Sequence, residues 1–194
     1  MTDVLERVTS HSNTVRMPER LHHTAWVVED QERTRAFYED VLGFKLTAFW
    51  IEAAPLRGKR TVLSHAFYGL EDGGALAFFC LAEKDDHEIF KSPKTELFNH
   101  IALKVDEATQ DRLLKALIDS GYKNFSIEHG YCKSLYVTDP DGLNLEFAID
   151  AHDVDRINSE QLRDARDWLT RWNHGEREPN NEIYTHKHRT SADG

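Results

Sequence analysis

The feature that most constrains this chain is an internal repeat. His23-Thr-Ala-Trp-Val-Val lies against His100-Ile-Ala-Leu-Lys-Val, and Gly43-Phe44-Lys45 lies against Gly121-Tyr122-Lys123. Further on, Tyr68-Gly-Leu-Glu-Asp-Gly-Gly matches Tyr136-Val-Thr-Asp-Pro-Asp-Gly without a gap, a register that pairs Phe78 with Glu146. A chain that repeats a strand, a helix, a glycine stop and three strands is built from two copies of one supersecondary unit. The expected unit is βαβββ.

Each half supports that reading locally. Residues 21–28 alternate as a strand, with His23, Ala25 and Val27 on one face and Thr24, Trp26 and Val28 on the other. Residues 30–42 read as an amphipathic helix with Asp30 as N-cap and Gly43 just past its end. Strands are expected near 44–52, 61–68 and 75–82, with a basic loop from Pro55 to Arg60. The second half repeats this with a strand from Phe98 to Val105, a helix over 107–120, and strands near 124–128, 132–138 and 143–149. Asp139-Pro140-Asp141-Gly142 is a turn, and in the strand after it Leu143, Leu145, Phe147 and Ile149 alternate with Asn144, Glu146 and Ala148.

The expected organisation is an arm over residues 1–19, a first module over 20–83 and a charged, irregular linker over 84–96. A second module over 97–150, a helix within 151–175 and a polar tail over 176–194 follow. The tail is expected to be extended or without fixed structure. The helix carries Leu162, Ala165, Trp168, Leu169 and Trp172 as an apolar stripe, with Asn158 or Ser159 as its cap. That stripe packs on the body or on a second subunit, and a homodimer is the expected assembly.

Composition excludes several functions. A net charge of −10 argues against a nucleic-acid surface and gives no support to an anionic-membrane role. No apolar run approaches the roughly 18 residues a membrane span needs, and no secretory h-region opens the chain. Two cysteines, Cys80 and Cys132, imply no disulfide framework, so the cytoplasm is the expected location.

Chemistry enters with the histidines. His23 and His100 hold equivalent places on the first strands of the two halves, and Glu146 lies on the corresponding face of the last strand. A lone strand histidine is usually structural. Two repeat-related imidazoles and a carboxylate on one concave surface instead form a facial triad, which suits Fe(II), Mn(II) or another divalent metal and leaves coordination positions open.

These residues resemble the vicinal-oxygen-chelate superfamily: glyoxalase I, fosfomycin- and bleomycin-resistance proteins, and type I extradiol dioxygenases. The resemblance rests on His23 with its Val-Val-Glu-Asp continuation, Phe37-Tyr38 with Leu42-Gly43-Phe44, His100 in Asn-His-Ile-Ala-Leu-Lys-Val, and Tyr136 through Glu146. It covers residues 20–150 and implies an α+β fold, two paired βαβββ modules forming an open eight-stranded cup around one metal site. Glyoxalase-like members draw a glutamate from each half, and Phe78 at the first-half position would leave three ligands, His23, His100 and Glu146. The resemblance to ring-cleaving members also implies acid–base roles for His87 and His129 and an orienting role for Tyr136. Phe78, Trp50, Phe67 and Tyr68 are the expected lining for a flat ring.

The expected function is an Fe(II) extradiol-type dioxygenase acting on a catechol-like diol with O2. A glyoxalase-like lyase or isomerase, or a fosfomycin-type thiol transferase, is the alternative, and a non-catalytic small-molecule binder is the third class.

Overall fold

The computed structural model describes residues 18–188 apart from Leu97, so most of the expected N-terminal arm lies outside the described residues. The first module runs β1 (His23–Val27), α1 (Gln31–Arg35), β2 (Lys45–Leu56), β3 (Lys59–Gly69) and β4 (Ala75–Leu81). Helix α1 widens into a π-helical segment over Ala36–Val41. The second module runs β5 (His100–Lys104), α3 (Glu107–Asp119), β6 (Asn124–Glu128), β7 (Cys132–Thr138) and β8 (Asn144–Asp150). Between the modules lies α2 (Lys84–Phe90), and after them come α4 (Val154–Asn173) and β9 (Tyr184–Lys187).

The strand order is β1-β4-β3-β2 in the first sheet and β5-β8-β7-β6-β9 in the second. In each, the first strand runs parallel to the fourth, and the remaining neighbours are antiparallel. The fold is therefore α+β with two βαβββ units and a C-terminal helix, as the repeat requires.

Local signals explain the helix ends. The Asp30 side chain accepts from the Glu32 and Arg33 amides, and Asp106 caps α3 through the Thr109 amide at 2.8 Å. Gly43 and Gly121 follow their helices at φ +78° and +75°, where a side chain would be strained. The basic segment after Pro55 is no loop. Arg57 (φ 51°) and Gly58 (φ 81°) make a tight turn that lets β2 and β3 pair out to Leu56 and Lys59.

Both sheets bury their helix-bearing faces in one core. Tyr68, Leu76 and Phe78 from the first sheet share it with Leu135, Leu145 and Phe147 from the second, around Phe37, Tyr38, Leu113 and Leu117 of the helical segments. Each such side chain contributes about 1.5–3 kcal/mol by leaving water. Phe44, at the head of β2, meets Phe147 with ring centroids 6.4 Å apart, and Phe37 meets Tyr122 at 4.8 Å. The Tyr38 hydroxyl donates to Asp139 at 3.0 Å in the same interior. Burial, then the Asp139 carboxylate, raises the Tyr38 phenol well above its ordinary value. The two sheets thus stand back to back, and the faces carrying His23 and Glu146 look away from each other.

Two expectations are corrected and a third is narrowed. Part of the linker is helical, because Asp86 is buried and paired with Lys59 at 2.7 Å, which fixes α2 against the first sheet. Helix α4 starts at Val154, so Asn158 and Ser159 lie inside it, the latter bonding back to the Asp155 carbonyl. The tail takes the extended form that was one of the two expected, with Tyr184–Lys187 pairing with β6 as an added edge strand. No helix among the described residues is long and apolar enough to cross a membrane.

Candidate metal centre

Strand β8 presents Leu145 and Phe147 to the core and turns Glu146 to the opposite face. Glu146 pairs in register with Ala102 on one side and Tyr136 on the other. Ala102 is small, which leaves room for the His100 ring to lean over it, and His100 Nε2 lies 2.7 Å from Glu146 Oε2. The other carboxylate oxygen accepts from the Ser134 hydroxyl at 2.5 Å. Glu146 is only 6 % exposed, so both of its oxygens are committed inside the protein.

Strand β7 supplies the next groups at every second residue. Tyr136 stacks on Phe125 at 5.0 Å and stands edge-on to His100 at 5.7 Å. Burial, followed by the Glu146 carboxylate, holds its phenol far above the ordinary value, so it stays protonated as a donor. His129 Nε2 lies 3.0 Å from the Tyr136 hydroxyl. Cys132 Sγ lies 3.5 Å from Ser134 Oγ, and ligand atoms of His129, Cys132 and Glu146 come within 4.8 Å of one another. Burial raises the Cys132 thiol.

His23 belongs to the other sheet. Its Nδ1 is 2.8 Å from Nδ1 of His22, and its ring stands 5.7 Å from Phe67 and 6.4 Å from His65. His65 is stacked on Phe79 at 3.8 Å and meets Glu52 at 3.5 Å through Nδ1. Its Nε2 is buried without a hydrogen-bond partner, and burial depresses its pKa, keeping the ring neutral. Within one chain, then, His100, Glu146, Tyr136 and His129 come together, whereas His23 does not join them.

A family model described as the Glyoxalase/Bleomycin resistance protein/Dioxygenase superfamily matches residues 20–147. The chain belongs to this superfamily. Among curated proteins none matches. Solved structures of the same fold include a glyoxylase/bleomycin resistance protein/dioxygenase domain from Frankia sp. EAN1pec (TM-score 0.53, 16 % identity, covering 71 % of this chain and 96 % of that one). Another is a putative dioxygenase from Bacillus subtilis subsp. subtilis str. 168 (TM-score 0.51, 20 % identity, covering 66 % and 40 %). A third is the fosfomycin resistance protein FosX from Listeria monocytogenes, complexed with Mn(II) and sulfate (TM-score 0.50, 16 % identity, covering 72 % and 98 %). At these identities the likeness is one of fold.

The ladders and burial assign the expected lining residues to their faces. Trp50 and Phe67 lie on the His23 face, Trp50 directly opposite His65 in the β2–β3 ladder. Phe78 and Tyr68 do not. Both are core residues, each about 1 % exposed, and Phe78 packs on Tyr38 at 4.6 Å. The physical reason is a one-residue slip in the repeat alignment, which in a strand exchanges the two faces. Ladder pairing sets Ala77 opposite Ala25 and Glu146 opposite Ala102, so Ala77 is the counterpart of Glu146. The first half still offers no carboxylate there. His87 lies on α2, outside the His129, Cys132 and Glu146 group, with a buried Nδ1 that has no hydrogen-bond partner. Sequence reasoning passed over Cys132, Ser134 and His65, although the first two alternate with Tyr136 and the last with Phe67 at the period of a strand.

Proposed function

We propose that this protein is a metal-dependent vicinal-oxygen-chelate enzyme, and within that class an Fe(II) extradiol-type dioxygenase that opens the ring of a catechol-like diol. The observation that carries this reading is the His129–Tyr136 contact at 3.0 Å beside the His100–Glu146 pair at 2.7 Å. An imidazole and a phenol held next to a convergent imidazole and carboxylate form a ligand pair with its acid–base groups already in place. The buried, doubly engaged Glu146 and the imidazole of His100 are a nitrogen–oxygen donor set suited to Fe(II) or Mn(II).

His23 completes the donor set from a second copy of the chain, because the back-to-back packing turns it away from its own Glu146. A homodimer therefore carries two composite sites, each with His100 and Glu146 from one protomer and His23 from the other. A metal held by His100, Glu146 and His23 would supply Lewis acidity toward the substrate's adjacent oxygens. Tyr136, kept protonated, donates a hydrogen bond to a substrate oxygen, and His129 Nε2 orients it by donating to the phenol oxygen. Trp50 and Phe67 offer aromatic walls on the His23 side. Both cysteines are free thiols, which suits a reducing, cytoplasmic setting.

The test is anaerobic reconstitution with Fe(II), then a panel of catechols with O2, followed by the yellow absorbance of ring-fission products. Fosfomycin with a thiol, and methylglyoxal with glutathione, are the competing assays. Turnover in either of these, with none on any catechol, overturns the dioxygenase reading.

A further inference from the structure

Beyond the region that matches the superfamily model, residues 181–188 lie against the second sheet next to the site. The hairpin that carries His129 joins β6 to β7 and is closed by the His129 amide donating to the Cys132 carbonyl at 2.9 Å. Its outward carbonyl, that of His129 itself, accepts from Asn181 Nδ2 at 3.0 Å. The fit is close, because a Cβ added at Gly130 would stand 3.2 Å from Asn181 Oδ1. Four register pairs then continue the contact along β6, starting with Tyr184 opposite Glu128, the residue before His129. His188 Nε2 ends it on the Ser126 hydroxyl at 2.9 Å.

We propose that this C-terminal strap is a working part of the active site, with Asn181 as the residue that positions His129. The proposal rests on the extradiol reading for the role of His129, though not for its placement. A two-stranded hairpin tip at a sheet edge is free to twist, and the imidazole on it then samples many directions. Pairing β6 with β9 moves that edge outward, and the Asn181 amide pins the peptide from which the imidazole hangs. The ring is thereby held toward the Tyr136 hydroxyl, which in turn lies against Glu146. Proton transfer tolerates little misplacement of the group that carries it, so a contact made only to the backbone acts on catalysis through geometry.

The experiment compares the full-length protein with Asn181→Ala and with Asn181→Gln, which keeps the donor. Ring-nitrogen resonances are recorded on protein labelled with 15N-histidine, with His129 assigned through His129→Gln. In the Ala variant the His129 signals are expected to move toward those of a free imidazole, and amide exchange at 129–131 to accelerate. The Gln variant restores both in part. On the loaded enzyme, kcat for catechol falls about tenfold, while KM and bound iron stay as in the parent. His129 resonances unchanged by Asn181→Ala overturn the inference whatever the parent catalyses. Shifted resonances in a parent that cleaves no catechol leave the strap standing and remove the extradiol reading.

Discussion

Ala77 occupies in the first sheet the place that Glu146 occupies in the second. Ala25 pairs with the one and Ala102 with the other, and in both cases the flanking residues of the strand go to the core. The duplicated halves therefore differ at the ladder position where, on the proposed reading, a carboxylate bears on metal chemistry. In the first half that place holds only a methyl group, buried on the His23 face.

That difference gives the first prediction. Ala77→Glu adds a fourth ligand and tightens metal binding by about tenfold or more, while taking a coordination position that substrate or O2 needs. Competition with a chromogenic chelator reads the affinity, and oxygen uptake reads the loss of ring cleavage. Unchanged affinity would mean that Ala77 does not face the metal. Phe78→Glu puts a carboxylate among core rings, against Tyr38 and away from His23, and is expected to destabilise the fold.

The ligand set is tested by complementation. His23→Ala and Glu146→Ala are each expected to lose most bound metal and all ring cleavage. When the two are mixed under conditions that exchange subunits, a mixed dimer regains one site built from the intact halves. About a quarter of the parental activity should return if protomers combine at random. No recovery, with subunit exchange shown independently, would contradict a site shared between copies.

Tyr38→Phe leaves the Asp139 carboxylate without its buried phenol donor and should cost about 1.5–3 kcal/mol by urea denaturation at neutral pH. Burial is the main reason Asp139 titrates above its ordinary value of 3.8, while the Tyr38 hydroxyl and the Leu143 amide pull it down. The folded form thus keeps a proton that the unfolded chain has already released. Its contribution to stability is full below 3.8 and is lost as pH rises through the raised folded value. Losing the Tyr38 hydroxyl extends that window upward, so a variant whose stability followed the parental pH dependence would argue against the contact.

Helix α4 buries none of its residues, and Leu162 and Trp172 are 85 % and 59 % exposed. Val154, Ile157 and Trp168 are half-buried, the last under the Arg171 guanidinium, whereas Leu162, Leu169 and Trp172 are exposed. Replacing Leu162 and Leu169 by glutamate should shift the dimer toward monomer in sedimentation while the circular dichroism stays the same. An unaltered sedimentation profile would assign dimerisation to the sheet faces alone.

Short-range chemistry made much of this architecture legible. Asp30 and Gly43 mark one helix because a cap and a positive-φ stop act within a few residues, and the alternation around Glu146 marks its face for the same reason. Phe78 shows where that legibility ended: hydropathy places a strand, but only its ladder partner sets the register. Asp86 shows another limit, since a charged stretch reads as a linker until Lys59, distant in sequence, supplies its counter-ion. Asn181 and the β6–β9 pairing were hidden because a polar strand that borrows an edge carries no pattern of its own. The back-to-back packing through Phe44 and Phe147 was equally silent, since both rings suit a core whichever module covers them.

That packing has a consequence for the quantity of protein as well as its shape. If the site is shared between copies as proposed, a chain whose Phe44 and Phe147 hold its sheets back to back carries half of each reaction chamber on opposite flanks. Dilution below the dissociation constant of the pair then silences it without unfolding anything, and specific activity should climb with concentration until every chain has found its mate.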